Sequence, residues 1–369
     1  MRDRGEAEFF RGRQEPLEAF DQLVVKAETE KSGTIFLVQG APGVGKTAFL
    51  EECKKRISKE TWDAVWCDPD VLWDVHELRK SLRLGYKIQL VKSFVQLGIE
   101  NLIKIGAYFQ LADRTIIGSI HQRRKKRGLM LVIDEIQDLG KKASPPDKAA
   151  QRRVRNTLYQ MHNWRMKKPF ILLVGGLGMS KNVLKQYGIS RFNNDCDFNL
   201  GALDKKSETE IIKQYMTKKG GVHENNPNFN HWMNAIVKET HGWPHHITNY
   251  GNVLSEYLKE NHHVLDDKGL KCIVKQGTKK RFQYYQRRVE DFDIEERRFI
   301  ASLLLKKKSQ RSKNDIISFF QNTLNRQQSK ELFDMALEKG VFHQNEEGEY
   351  VVPIPSMQTW ILTKFGDQE

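Results

Sequence analysis

Up to about residue 200 the chain alternates between two hydrophobic periods, and beyond it keeps only one. Thr34-Ile35-Phe36-Leu37-Val38-Gln39, Leu129-Met130-Leu131-Val132-Ile133 and Phe170-Ile171-Leu172-Leu173-Val174 are unbroken apolar runs of strand length. Such runs mark strands buried on both faces. Trp62-Asp63-Ala64-Val65-Trp66-Cys67 and Asp197-Phe198-Asn199-Leu200 read as two more strands. Between them, apolar residues recur at helical spacing: Leu17, Phe20, Leu23, Val24 and Ala27; Leu90, Val91, Phe94, Val95 and Leu97; Val154, Leu158 and Met161. Strands alternating with helices predict an α/β fold with a mostly parallel sheet covered on both sides.

Past residue 200 the strand signals stop. Ser207-Glu208-Thr209-Glu210 has the form of a capping box opening a helix over 211–218, and further helices are expected over 231–240 and 246–259, broken by His241-Gly242-Trp243-Pro244-His245-His246. From about 285 the pattern changes again. Helices over 294–305, 313–322 and 329–339 precede Val341-Phe342-His343-Gln344, a polar turn, and Tyr350-Val351-Val352-Pro353-Ile354-Pro355. Three helices and a hairpin are the layout of a winged helix-turn-helix. The expected division is therefore an α/β core at 1–200, an all-α unit at 201–284 and a C-terminal winged helix at 285–369.

The candidate chemistry begins at the end of the first strand. Gly40-Ala41-Pro42-Gly43-Val44-Gly45-Lys46-Thr47 fits G-x-x-x-x-G-K-[ST], with a strand before it and a helix beginning Thr47-Ala48 after it. In such a P-loop NTPase core the backbone amides turn inward around a triphosphate. Lys46 reaches the β- and γ-phosphates and the Thr47 hydroxyl ligates Mg²⁺. The positive end of the helix dipole adds to the attraction for ATP. About ninety residues on, the run 129–133 delivers Asp134-Glu135 to its end. Asp134 suits the carboxylate that holds Mg²⁺, and Glu135 the one that orients the attacking water.

Charge and cysteine usage narrow the setting. Lys and Arg number 61 against 47 Asp and Glu, a net +14, so an acidic partner such as double-stranded DNA fits the balance. Between Lys271 and Lys313 stand fourteen bases and five acids, +9 of that +14, with Phe282, Tyr284 and Tyr285 interleaved. The segment 329–339, in the recognition-helix position, is not basic, which argues against base readout in the major groove. DNA contact and a purely protein-docking winged helix both stay open. The basic run Arg123-Arg124-Lys125-Lys126-Arg127 reads as a solvated face before a strand, with nucleic-acid contact as the alternative. Cys53, Cys67, Cys196 and Cys272 lie far apart without a C-x-x-C pair, which suits reduced thiols. His241, His245 and His246 lack carboxylate or cysteine partners at ligand spacing and read as turn residues. No run approaches the ~18 apolar residues of a membrane span, so a cytoplasmic protein is expected.

P-loop, Asp134-Glu135, helical unit and winged-helix tail, in that order, resemble the AAA+ ATPases. The likeness points to the branch holding the replication-origin initiator ATPases, the STAND signalling ATPases and the ATP-binding proteins of Tn7-type transposons. Phe10-Arg11-Gly12-Arg13-Gln14-Glu15 is similar to the family's F-x-G-R-x-x-E signature, which implies that Arg13 lies near the adenine base. The resemblance makes 201–284 the lid and Gly242-Trp243-Pro244-His245 its nucleotide-facing turn. Gly188-Ile189-Ser190-Arg191-Phe192 resembles the segment carrying the arginine finger, which implies that Arg191 completes a neighbour's site and that the chain self-associates. Arg152, Arg153 and Arg155 share an outer helix face and rival it. Two departures stand out. The turn after the fourth strand lacks a polar sensor, with Ser180 the nearest substitute, and the lid turn offers His245 where many members place Arg. A neutral histidine holds a γ-phosphate less firmly than a guanidinium. Both departures suggest slow hydrolysis and a nucleotide-held switch, and small mobile-element or phage-defence relatives suggest a nuclease or transposase type of effector as partner.

Overall fold

The computed structural model describes residues 9–31, 33–73, 128–140, 148–162, 169–189, 194–306, 311–345 and 347–366. The helices expected between 74 and 127, the basic run 123–127 and Arg191 lie outside the described residues.

The five expected strands form one parallel sheet: β1 (Gly33–Gly40), β2 (Trp62–Cys67), β3 (Gly128–Ile133), β4 (Phe170–Gly176) and β5 (Asp197–Leu200), in the order β2-β3-β4-β1-β5. Alternation along each strand decides which layer a side chain joins. Phe36, Val38, Met130, Val132, Ile171 and Leu173 pack on the side of α1 (Gln14–Glu30) and α2 (Lys46–Arg56). Ile35, Leu37, Leu129, Leu131, Leu172 and Val174 pack on the other, against Val154 and Leu158 of α3 (Lys148–His162) and Leu184 of α4 (Ser180–Gln186). Each fully buried side chain of this size contributes about 1.5–3 kcal/mol, so a one-residue register slip is strongly disfavoured. Val65 pairs with Leu131, Leu131 with Leu172, and Leu37 with Val174.

Beyond the sheet come α5 (Lys205–Gln214), one π-helical turn (Tyr215–Lys219), α6 (Phe229–Thr240), α7 (Pro244–Glu260) and the 23-residue α8 (Asp267–Val289). The cap of α5 differs from the expected box. Asp204 is the N-cap, its carboxylate accepts from Ser207 N at 2.9 Å, and Ser207 already lies inside the helix. Glu208, one position further on, is buried. Its carboxylate accepts from Gly242 N at 2.6 Å and from the Thr240 hydroxyl, holding the turn between α6 and α7.

The C-terminal elements are α9 (Ile294–Leu305), α10 (Lys313–Phe320), α11 (Arg326–Glu338), a ribbon of two-residue strands β6 (His343–Gln344) and β7 (Tyr350–Val351), and α12 (Pro355–Phe365). Asp293, Ser312 and Asn325 each open a helix with a complete capping box. Helix α12 begins where the expected extended segment ends, over residues for which no element was expected. Its Pro355 occupies the first turn, where a missing N–H costs nothing. Helix α8 runs unbroken through residues 284–285, the expected domain boundary, and the core there is continuous. Tyr284 and Tyr285 pack in one cluster with Phe36 and Phe49 beside the sheet and with Ile300, Phe333 and Trp360 of the tail.

Candidate functional site

The site lies where β1 and β3 end, at the carboxyl edge of the parallel sheet, where open α/β sheets hold ligands. From β1 the chain turns through 41–45 into α2. Gly43 and Gly45 take φ of 80° and 95°, a left-handed conformation that glycine adopts at little cost. A Cβ on Gly43 would lie 2.7 Å from the Tyr284 hydroxyl. Lys46 opens α2, is 5% exposed, and donates from Nζ to the carbonyls of Gly40 (3.0 Å) and Ala41 (3.4 Å). Val44 is buried against the sheet, and Thr47 and Ala48 continue the first turn of the helix. Burial lowers the Lys46 pKa, while Glu135 and Asp134 raise it and Arg288 lowers it.

Opposite this turn, β3 delivers its two carboxylates. The Thr47 hydroxyl donates to Asp134 Oδ2 at 2.6 Å, and Glu135 N donates to Asp134 Oδ1 at 3.0 Å. Burial raises the Asp134 pKa in spite of the Thr47 hydrogen bond and the Lys46 charge. A carboxylate so placed gains from a cation, and with the adjoining hydroxyl it makes the oxygen donor set suited to Mg²⁺. Glu135 has φ 54°, left-handed for a non-glycine residue, and its carboxylate accepts from Gln137 Nε2. Gln137 Oε1 in turn accepts from Leu177 N at 3.0 Å and from the Ser180 hydroxyl at 3.4 Å. Gln137 thus joins Glu135 to the turn after β4, with Ser180 fully buried behind it. The sequence offered no signal for Gln137. Its role comes from the 3₁₀ turn Ile136–Gly140, which folds it back beneath β4.

Four segments remote in sequence close over the loop. Arg13 has φ 63° and donates from Nη2 to Val44 O at 3.2 Å and Gly201 O at 2.5 Å. Burial lowers its pKa to about 10, which leaves it charged. The turn 242–245 lies against the loop: His245 N donates to Gly43 O at 3.1 Å, and a Cβ on Gly45 would stand 3.7 Å from Pro244. The His245 ring stacks near that of Tyr284, with centroids 4.3 Å apart. Burial, with Arg288 and Arg287, lowers its pKa to about 4, so the ring is neutral at physiological pH. From α8, the Tyr284 hydroxyl donates to Pro42 O at 2.6 Å. Arg288 lies over the Tyr284 ring at 4.7 Å, donates from Nη2 to its hydroxyl at 3.2 Å, and donates from Nη1 to Lys339 O at 3.4 Å. Gly340 then meets Pro42 so closely that a Cβ would overlap the proline ring. His343 Nε2 lies 2.8 Å from Asn199 Oδ1, and Asn199 Nδ2 donates to Gln344 O at 3.1 Å. Tyr284 and Arg288 were read in the sequence only as part of a basic, aromatic segment.

The arginine candidates are less gathered. Arg152 and Arg155 are exposed on α3, and the Arg155 side chain lies against the backbone of Gly188. The side chain of Arg153 and all of Arg191 lie outside the described residues.

A buried lysine in a glycine turn, a hydroxyl on a buried carboxylate, and the order β2-β3-β4-β1-β5 define the P-loop AAA+ ATPase fold. The model of the ATPase family associated with various cellular activities (AAA) matches residues 36–194 and places an AAA ATPase domain over that stretch. No curated protein matches the chain in sequence. Among solved structures, the ADP form of the Aeropyrum pernix ORC2 protein is 13% identical with a TM-score of 0.58, over 99% of this chain and 97% of that one. The ADPNP–ADP complexes of the same protein give 14% and 0.55, over 98% and 96%. The Walker-type ATPase PABY2304 of Pyrococcus abyssi gives 13% and 0.54, over 97% of both chains. At such identity the likeness is one of fold. No helix among the described residues is long and apolar enough to cross a membrane.

Proposed function

We propose that the chain is a nucleotide switch that binds ATP with Mg²⁺, hydrolyses it slowly, and engages double-stranded DNA through its basic C-terminal region to control a partner protein. The observation that carries this reading is the placement of four groups at one sheet edge. Lys46 is buried under its glycine turn, the Thr47 hydroxyl lies 2.6 Å from Asp134, and Glu135 is held by Gln137. Residues 40–48 would cradle the phosphates, Thr47 and Asp134 would hold Mg²⁺, and Arg13, Pro244 and His245 would border the nucleotide. Bound Mg²⁺ would offset charge developing on the phosphate oxygens. Glu135 would accept a proton from water or fix its orientation. Arg191, supplied by a second copy, would add positive charge in the transition state, an effect worth about 10³–10⁵ in rate in related chemistry. Residues 1–200 would serve as core, 201–284 as lid and 285–369 as winged helix, the last two sharing α8, and the tail would move as the nucleotide changes.

Lys46→Ala is expected to abolish tight ATP binding, measured by titration with a fluorescent ATP analogue; unchanged affinity would overturn the assignment. Glu135→Gln should keep ATP affinity while turnover falls at least a hundredfold, and normal turnover in that variant would remove Glu135 from the mechanism. A second reading, an adaptor holding nucleotide with negligible hydrolysis and recruiting a nuclease or transposase type of effector, is favoured by one observation. The lid turn brings His245 to the loop as a neutral ring, its pKa lowered to about 4 by burial, so it offers a γ-phosphate no permanent charge. Turnover of the wild type alone and with DNA separates the two.

A further inference from the structure

Helix α8 has two faces of opposite use. Its inner face carries Tyr284, which touches the P-loop, and its outer face touches solvent. Between Lys268 and Val289 it contains eight bases and no acid. At 3.6 residues per turn, Lys268, Lys271, Lys275, Lys279, Phe282 and Gln286 fall within about 80° of arc and extend over about 27 Å. The four lysines are exposed, and Phe282 is 42% exposed in line with them. Leaving Phe282 in such a row costs hydrophobic burial, and the ring is only partly covered by Trp360 of α12, 6.4 Å away. Helix α12 extends the charged face: Lys364 Nζ donates to Gln286 Oε1 at 2.6 Å and lies 5.0 Å from the Trp360 ring. No acidic residue occurs between Pro355 and Gly366.

The acids that border this face are few. Asp266 caps α8 by accepting from Gly269 N, Asp267 lies 4.0 Å from His231, and Glu239 is paired with the buried Arg281. Glu290 lies just beyond the C-terminus of the helix, and Asp291 is paired with Lys339. None of the four stripe lysines has an ion pair with an acid among the described residues, whereas Lys213, Arg56 and Lys339 elsewhere do. A row of like charges along one helix raises its own energy through repulsion, and a polyanion relieves it. Two of the three amides of the helix are already engaged within the protein, Gln276 donating to Cys272 Sγ at 3.3 Å and Gln286 accepting from Lys364, and the lysines of the row act as flexible point charges.

We propose that the outer face of α8, with Lys364 of α12, is a contact surface for the phosphate backbone of double-stranded DNA, used without base readout. This rests on the DNA engagement proposed above and moves it from the winged-helix position to the lid helix. A straight row of about 27 Å spans about eight base pairs at 3.4 Å per pair. Because the same helix presents Tyr284 to Pro42, DNA on the outer face lies one helix diameter from the P-loop.

The test is anisotropy titration of two unrelated labelled 20-base-pair duplexes with full-length protein across a salt series. The expected result is equal affinity for both duplexes. Lys271→Ala/Lys275→Ala/Lys279→Ala should weaken binding at least tenfold at 100 mM monovalent salt. The slope of log affinity against log salt should become shallower by about 2.7, at about 0.9 per phosphate contact. Arg326→Ala/Lys330→Ala on α11 should leave both unchanged. An unchanged affinity and slope in the triple variant, a loss confined to the α11 variant, or no duplex binding at 50 mM salt would each overturn the proposal. Binding of the fluorescent ATP analogue, measured on the same samples, reports folding of the variants. It also separates a failure of the nucleotide reading, seen as absent binding in wild type, from a failure of this surface.

Discussion

At the scale of single residues, the site is held by side chains that satisfy one another. The Tyr284 hydroxyl donates to Pro42 O and receives Arg288, so α8 restrains the loop through one buried group. Removing that hydroxyl costs about 1 kcal/mol, and Tyr284→Phe should speed release of a bound fluorescent nucleotide about fivefold. An unchanged release rate in stopped-flow displacement would show that the contact does not restrain the loop. Histidines give a second test. His246 is fully buried with neither ring nitrogen hydrogen-bonded among the described residues, and burial with Arg281 lowers its pKa to about 3. Burial and Lys46 lower that of His343 to about 4. A depressed histidine pKa means that the unfolded chain takes up the proton first. Stability is therefore full above pH ~6.5 and falls as pH drops toward the folded values, by at most about 1.4 kcal/mol per pH unit for each group. The urea midpoint should thus fall from pH 7.5 to pH 5, and less so in His246→Phe; an equal fall in that variant would exclude His246 as a source.

At the scale of elements, the turn after β4 shows how close approach sets composition. A Cβ on Gly176 would overlap the Ser180 hydroxyl and stand 2.7 Å from Gln137 Oε1. Gly176→Ala must therefore displace Ser180 together with Gln137, loosening the hold on Glu135, or shift β4. Overpacking of this kind costs about 1–3 kcal/mol, and the variant should lose both thermal stability and turnover while its ATP affinity falls less. Retention of full turnover would separate Gln137 from the chemistry. The absence of an Asn or Thr at this strand end was legible in the sequence, and so was Ser180. Gln137 was not legible, because a glutamine two residues after a carboxylate carries no pattern until a 3₁₀ turn folds it under the neighbouring strand. The opening of α5 shows the same limit. Ser207 and Glu210 satisfy a capping-box spacing, yet Asp204, three residues upstream, wins the N-cap by accepting from Ser207 N. Glu208, the next residue of the helix so opened, is the acid that pins Gly242.

At the scale of the whole molecule, the P-loop is bordered by the N-terminal segment, the turn 242–245, α8 and Gly340. Nucleotide binding should therefore stabilise all of them together. ATP at a hundred times its dissociation constant adds about 2.7 kcal/mol to a folded state that alone binds it. A single cooperative melt should rise by several degrees with Mg²⁺ and ATP, and not in Lys46→Ala. A rise confined to one of two separate transitions would show that the tail is not linked to the core.

What the sequence determined by itself is what local pattern carries. The strand positions followed from apolar runs, the P-loop from its spacing, and the paired carboxylates from their place after a buried run. These are properties of contiguous residues, where burial on two faces or inward-turned amides demand particular side chains. Tertiary structure alone decided which distant groups meet. The β2-β3-β4-β1-β5 order put Asp134 beside Thr47, 87 positions away. Continuous packing through Tyr284 and Tyr285 joined the tail to the sheet and placed Tyr284 on Pro42, 242 positions away. No periodicity records such pairings, because their free energy comes from burying surfaces that become neighbours only once the chain has folded.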